Sequence, residues 1–293
     1  MPLPLPSSSF RDLTATPFRE TIEVLGGTLE MNLGLTNRVA IISAASKGLG
    51  RAVATELSRE GARVAICART AADLVETAGQ ISRETSNEVF HQTVDVTNAA
   101  AVASFVAAVE KRFGRVDICI TNSGGPPSKL FKDTDSSDWK SAVDLLLMST
   151  VFFAKETLPL MQKNKWGRLI TITSYTVKQP VDGLLLSNSV RAAVTGLART
   201  LANEYAAHGI TVNNVCPGYT STDRLSELTS VLSERNGITQ EEVVAGWKRQ
   251  IPAGRLGTPE EFAAVVTFLA SERASYVNGT SIAIDGGIVR SLL

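Results

Sequence analysis

The sequence predicts one α/β domain built on a doubly wound parallel sheet, and three observations predict it. From Leu35 onward short apolar runs alternate with longer amphipathic segments; the runs are apolar on both faces; and the turn after the first run is rich in glycine and small residues. Strands buried on both faces need helices on both sides of the sheet, which is the α/β layer arrangement.

The elements follow in order. RVAIIS (38–43) reads as the first strand, and 48–60 as a helix whose Leu49, Val53 and Leu57 recur every four residues. RVAICA (63–68) is a second strand, followed by a helix through Leu74 and Ile81. VFHQTV (89–94) is the third, before a helix through Val102, Phe105, Val106 and Val109. VDICIT (116–121) is the fourth. Long helices are expected over 138–163 and 188–207, separated by the strand RLITIT (168–173), and ITVNNV (210–215) and SIAID (281–285) close the sheet. Residues 219–250 are more polar and less regular, and read as an inserted substrate cap before the final helix. Nothing linker-like interrupts 35–293, so that span is expected to be a single domain.

Residues 1–34 differ. They open MPLPLPSSSF, show no sustained period, and read as a flexible or loosely packed extension; a start at Met31 also fits, because the folded pattern begins just after it. The basic start and apolar stretch of a secretory signal are lacking, and Asp12, Glu20, Glu23 and Glu30 speak against an organellar transit peptide.

Bulk composition removes several classes. Lys plus Arg and Asp plus Glu both count 29, so the basic excess of a nucleic-acid binder is missing. No apolar run reaches membrane-spanning length. Cys67, Cys119 and Cys216 are widely spaced, odd in number and set in strand-like runs, the pattern of buried free thiols in a reducing, cytoplasmic setting. His91 and His208 are the two histidines, and neither has a neighbouring ligand or triad partner, so metal and Ser-His-Asp chemistry are poorly supported.

The first turn carries the positive signal. SAASKGLGRA follows a strand, opens a helix and fronts a βαβ unit, so its backbone and the helix amino end are suited to a dinucleotide pyrophosphate, as in a Rossmann-type fold. The end of the second strand chooses the cofactor. A carboxylate there would grip the ribose of NAD(H), but this chain has Ala68 and Arg69, while Lys47 lies in the loop itself. Two cations and no carboxylate favour NADP(H) over NAD(H).

These residues, with others in chain order, resemble the short-chain dehydrogenase/reductase family over about 35–293. The phosphate loop of that family is matched by Ser43, Ala44, Ala45, Ser46, Lys47, Gly48, Leu49 and Gly50, with Ala44 where the family has Gly. Its Asp-Val pair near the adenine is matched by Asp95 and Val96, and its Asn-Asn-Ala-Gly turn by Thr121, Asn122, Ser123 and Gly124. Its Pro-Gly turn near the nicotinamide is matched by Pro217 and Gly218, with Thr222 following. The tail from IPAGRLGTPEEF to IDGG is similar to the 3-oxoacyl-carrier-protein reductase branch. The resemblance implies a small-molecule carbonyl or alcohol substrate, and a homodimer or homotetramer joined through the two long helices and the carboxyl-terminal segment.

The resemblance fails at the working group. Members use Asn, Ser, Tyr and Lys; here the matching positions are Leu146, Ser174, Ser187 and Arg191. The family role of Ser174 is to polarise the carbonyl. Ser187 is a poor acid but can hydrogen-bond a substrate oxygen, and Arg191 keeps a charge able to hold ribose hydroxyls. Tyr175 and Lys178 are the candidates for a relocated acid, although strand alternation turns Tyr175 to the opposite face unless the chain bends there. Two readings compete. One is an oxidoreductase with atypical proton handling; the other is an inactive or weakly active NADP(H)-binding sensor or assembly subunit.

Overall fold

The computed structural model describes residues 31–292, so the extension read over 1–34 lies outside the described residues as far as residue 30. A compact unit starts at Leu33, whose carbonyl accepts from the Glu272 N–H at 3.0 Å.

Seven strands, β1 (Val39–Ser43), β2 (Arg63–Ala68), β3 (Val89–Thr93), β4 (Ile118–Thr121), β5 (Gly167–Ile172), β6 (Ile210–Pro217) and β7 (Ser281–Ile284), form one sheet. Their order is β3-β2-β1-β4-β5-β6-β7 and every neighbouring pair is parallel. The winding reverses between β1 and β4, which opens a crevice at the carboxyl ends of those two strands. The expected fold class is therefore the observed one.

Nine helices lie among the described residues: α1 (Gly48–Arg59), α2 (Ala71–Thr85), α3 (Ala99–Phe113), α4 (Ser136–Val143), α5 (Ser149–Asn164), α6 (Leu185–Tyr205), α7 (Asp223–Asn236), α8 (Gln240–Gln250) and α9 (Pro259–Ala270). Alternation along β1 shows how they bury the sheet. Ala40 and Ile42 enter one apolar cluster with Leu57, Leu74, Phe262 and Leu269; Val39 and Ile41 enter the other with Phe105, Val109, Phe153 and Leu158. Two cores of this kind are what strands apolar on both faces demand.

Three local expectations need correction. The helix expected over 138–163 is divided by a π turn at Asp144–Met148, after which the Ser149 and Thr150 hydroxyls bond back to the Leu145 and Leu146 carbonyls. The helix expected over 188–207 begins earlier, at Leu185. The stretch 219–250 is regular: it forms α7 and α8, capped by Thr222 and by a Thr239–Glu242 capping box. Its apolar positions, Leu225, Leu228 and Leu232, have helical spacing that the surrounding polar residues obscure.

Candidate active site

The loop after β1 is held from three sides. Ser43 Oγ donates to the Asn122 carbonyl at 2.7 Å and accepts from the Asn122 N–H at 2.8 Å, tying β1 to the turn after β4. The Ala45 N–H donates to the Cys67 carbonyl, and Thr77 Oγ1 to the Ser46 carbonyl at 2.6 Å. Ser43 and Ala45 are buried, so they shape the loop from within. Gly48 needs its glycine for φ +57°; a Cβ on Gly50 would meet the Ala44 carbonyl oxygen at 2.6 Å. Ala44 is also left-handed, at φ 48°. Its methyl fits in space, but the conformation is one that favours glycine.

The amino end of α1 is open. Lys47, its N-cap residue, makes no side-chain cap, and no acidic residue stands in the first turn. The free N–H groups and the helix dipole therefore suit an anion. Leu49 lies behind them, half-buried against the core. Lys47 is exposed, with its Nζ 3.7 Å from Glu227 on α7. Arg69 is exposed at the end of β2, close enough to Asp95 to favour its ionised form, though the Thr97 N–H and hydroxyl do more to depress the Asp95 pKa. Val96 is buried beside it. The residues present fit a dinucleotide: the loop and the amino end of α1 would hold its diphosphate, and Lys47 and Arg69 add two cations after β1 and β2.

Further along the crevice, Asn122 Nδ2 donates to the Ala44 carbonyl at 3.3 Å, Ser123 Oγ bonds the Gly124 carbonyl, and Gly124 is exposed. Gly218 donates to the Ile284 carbonyl, and a Cβ there would stand 2.6 Å from Asp285 Cα, so Pro217–Gly218 fits only without a side chain. Thr222 caps α7 and sets its methyl toward Gly48.

The three candidate working residues lie just after β5 and on α6. Ser174 Oγ accepts from the Thr176 N–H at 3.2 Å. Ser187 and Arg191 are one turn apart on α6; Arg191 Nε donates to Ser187 Oγ at 3.2 Å and Nη1 to the Ile172 carbonyl at 3.1 Å. Among the described residues neither serine hydroxyl donates to a protein acceptor. Burial, then the charge of Arg224, lowers the Arg191 pKa to about 10, which leaves it charged at neutral pH. Leu146, expected from the resemblance at the position of the family's Asn, packs with Ala142, Leu186 and Val190.

Tyr175 is turned away. It is buried with Ile251 and Ile288, and its ring lies 5.6 Å from that of Tyr219, which in turn stacks on Trp247 at 4.6 Å. Burial and Tyr219 raise its pKa further from neutrality. Lys178 is half-buried, with its charge acting on Cys216. Sequence reasoning passed over Arg224, whose Nη2 donates to the Pro126 carbonyl at 3.3 Å and whose Nη1 donates to Glu227 at 3.2 Å. Its one available signal was a cation in the first turn of a helix beside Thr222. No cluster of metal-ligating side chains occurs among the described residues, and none of their helices is long and apolar enough to cross a membrane.

A cofactor crevice at the strand-order reversal and a serine–arginine group beside it define a dinucleotide-binding α/β protein. The family described as enoyl-(acyl carrier protein) reductase matches residues 43–289, and the chain belongs to the short-chain dehydrogenase/reductases. It is similar to the 3-oxoacyl-[acyl-carrier-protein] reductase FabG of Pseudomonas aeruginosa, 34% identical over 88% of this chain and 100% of that protein. The short chain dehydrogenase/reductase astE of Aspergillus oryzae is 32% identical over 88% of this chain and 97% of that one. Among solved structures, L-sorbose reductase from Gluconobacter frateurii, complexed with NADPH and L-sorbose, superimposes with a TM-score of 0.85 at 30% identity, covering 89% of this chain and 100% of that one. An actinorhodin polyketide ketoreductase with NADPH gives 0.84 at 30% identity, over 87% and 98%.

Proposed function

We propose that the chain is an NADP(H)-dependent oxidoreductase interconverting a carbonyl compound and its alcohol, with Ser174, Ser187 and Arg191 as its working group. One observation carries this reading: both serine hydroxyls accept a protein N–H, so each keeps its own hydrogen for a substrate oxygen. The loop 43–50, Arg69, Asp95 and Val96, the Asn122–Gly124 turn, Pro217–Gly218 and Thr222 would hold a nicotinamide dinucleotide, which would supply the hydride. In reduction the hydride and its electron pair add to the carbonyl carbon, the carbonyl π pair moves to oxygen, and oxygen takes one proton. Ser174 and Ser187 stabilise that oxygen by hydrogen bonds, in the manner of an oxyanion hole. Arg191, behind Ser187, opposes the growing negative charge and holds ribose hydroxyls. Neither serine is acidic enough to replace a tyrosine, so water delivers the proton, at a cost of about 10²–10⁴ in rate.

The NADPH-bound relatives support the cofactor choice, and Lys47 and Arg69, with no carboxylate at the end of β2, support it independently. Small outward residues along α6 (Ala192, Ala193, Gly196) support self-association. A second reading, cofactor binding without turnover, is favoured by the burial of Tyr175, which removes one relocated acid. Loss of NADPH absorbance in stopped flow, across ketones, aldehydes and quinones, separates the two. Turnover abolished by Ser174→Ala supports the enzyme; micromolar NADPH binding without turnover of any compound overturns it.

A further inference from the structure

Two guanidinium groups approach the crevice from different elements. Arg191 uses Nε and Nη1 within the fold, and among the described residues its Nη2 has no protein acceptor. Arg224 enters from the first turn of α7 and covers Gly125, where a Cβ would stand 3.0 Å from its Nη2. Its bond to Pro126 seats it on the chain leaving the Asn122–Gly124 turn. Arg235, eleven residues on and so on the same face of α7, reaches over Gly183, where a Cβ would lie 3.5 Å from its Nη1. Ser128 Oγ donates to the Gly183 carbonyl at 2.7 Å, so these two loops form one wall, with arginines of α7 placed along it.

Among the described residues Glu227 is the one carboxylate within ion-pair distance of Arg224, and it is shared with Lys47. Arg224, Glu227 and Lys47 are each about half exposed, and such solvent-screened pairs are weak. A phosphate taken up by Lys47 loosens one side of Glu227, and an incoming carboxylate can replace it on the planar fork of Arg224.

Resting on the reductase reading above, we propose that Arg224 is a specificity-determining residue and that the substrate is an oxo acid. Its carboxylate sits on Arg224 while its carbonyl oxygen meets Ser174 and Ser187. A neutral carbonyl compound of the same shape leaves Arg224 without a partner on the substrate.

The test compares NADPH oxidation with 3-oxohexanoate and with its methyl ester, in the wild type, Arg224→Gln, Arg224→Lys and Glu227→Gln. The acid is expected to exceed the ester in kcat/KM by about tenfold or more, mainly through KM. Arg224→Gln brings the ratio to about one, Arg224→Lys restores part of it, and Glu227→Gln widens it. Equal use of acid and ester by the wild type, or a ratio unmoved by Arg224→Gln, overturns the assignment and leaves the reductase reading standing. If neither compound turns over, calorimetry with 3-phenylpropanoate and 3-phenylpropanamide decides it. Binding of the carboxylate alone, lost in Arg224→Gln, supports the anion site; equal binding of the two, or binding of neither, overturns it.

Discussion

Arg191 Nε donates to Ser187 Oγ at 3.2 Å, across one turn of α6, and so joins two of the three residues proposed as the working group. The bond fixes the serine rotamer and directs its own hydrogen away from the guanidinium. The pair can stabilise an oxyanion but cannot supply an acid. Restoring the acid should therefore raise the rate. Ser187→Tyr combined with Arg191→Lys is expected to increase kcat by about 10²–10⁴, measured by NADPH oxidation with a ketone that the wild type turns over slowly. Ser187→Tyr alone should give far less, because Arg191 and its anchor on Ile172 occupy the space beside the new ring. A double variant no faster than the wild type would show that proton delivery does not limit turnover.

Ala44 offers a second test. Its φ of 48° places an L-residue where glycine is preferred, in the loop that shapes the anion cradle. The left-handed conformation costs a non-glycine residue about 1–2 kcal/mol, and glycine returns part of that as unfolded-state entropy. Ala44→Gly is thus expected to stabilise the chain by about 0.5–1 kcal/mol, a rise of about 1–4 °C in Tm by differential scanning calorimetry. Gly50→Ala should act oppositely and reduce NADPH affinity, since its methyl would press on the Ala44 carbonyl at 2.6 Å. A melting temperature lowered by Ala44→Gly would contradict this account.

Strands and the phosphate loop could be read from the chain because local chemistry determines them. A strand buried on both faces is an apolar run, and a turn that needs positive φ and close approach selects glycine at Gly48 and Gly50. Thr258, Pro259 and Glu261 begin α9 for similarly local reasons, a capping box with proline in the first turn. What escaped depends on distant partners. Arg168 lies in β5 with 1% of its surface exposed, because its guanidinium reaches the Ser271 carbonyl and, with Arg38, sandwiches Trp166. The Lys47–Glu227 contact spans most of the chain, so one loop residue gave no hint that a helix would fold back over it. The π turn at Asp144–Met148 has no sequence mark separating it from ordinary helix. At the candidate site, spacing singled out Ser174, Ser187 and Arg191, but their hydrogen bonds, such as that from Arg191 Nε to Ser187 Oγ, required coordinates.

On the function proposed above, cofactor choice rests on Lys47 and Arg69, both exposed, with Lys47 3.7 Å from Glu227 and Arg69 acting on Asp95. Charge-assisted bonds to a phosphate are worth about 1.5–3 kcal/mol, so Lys47→Ala and Arg69→Ala should each weaken NADPH binding by about tenfold to a hundredfold. NADH, lacking the adenosine phosphate, should change by less than about threefold in both variants. Fluorescence titration of the two cofactors at one fixed ionic strength measures this. Equal losses for both would move the cations from the adenosine phosphate to the shared diphosphate.

Glu261 supplies a pH dependence whose sign can be worked out. Two hydrogen bonds from Arg255, and then the Thr258 N–H, hold its carboxyl down at about 2, against an ordinary 4.5. The unfolded chain therefore takes up this proton more readily than the folded one between those values. The stabilisation is full above about 4.5 and disappears as pH falls toward 2. Glu261 caps α9, whose Phe262 and Val266 share a core cluster with Val53 and Leu57 of α1, so its protonation loosens a support of the phosphate helix. Glu261→Gln keeps an acceptor for the Thr258 N–H but gives up the charge facing Arg255. At neutral pH the variant should melt slightly below the wild type, and the two melting curves should converge as pH falls from 4.5. Thermal unfolding across that range measures it, and a constant gap down to pH 2 would show that Glu261 does not carry this acid dependence.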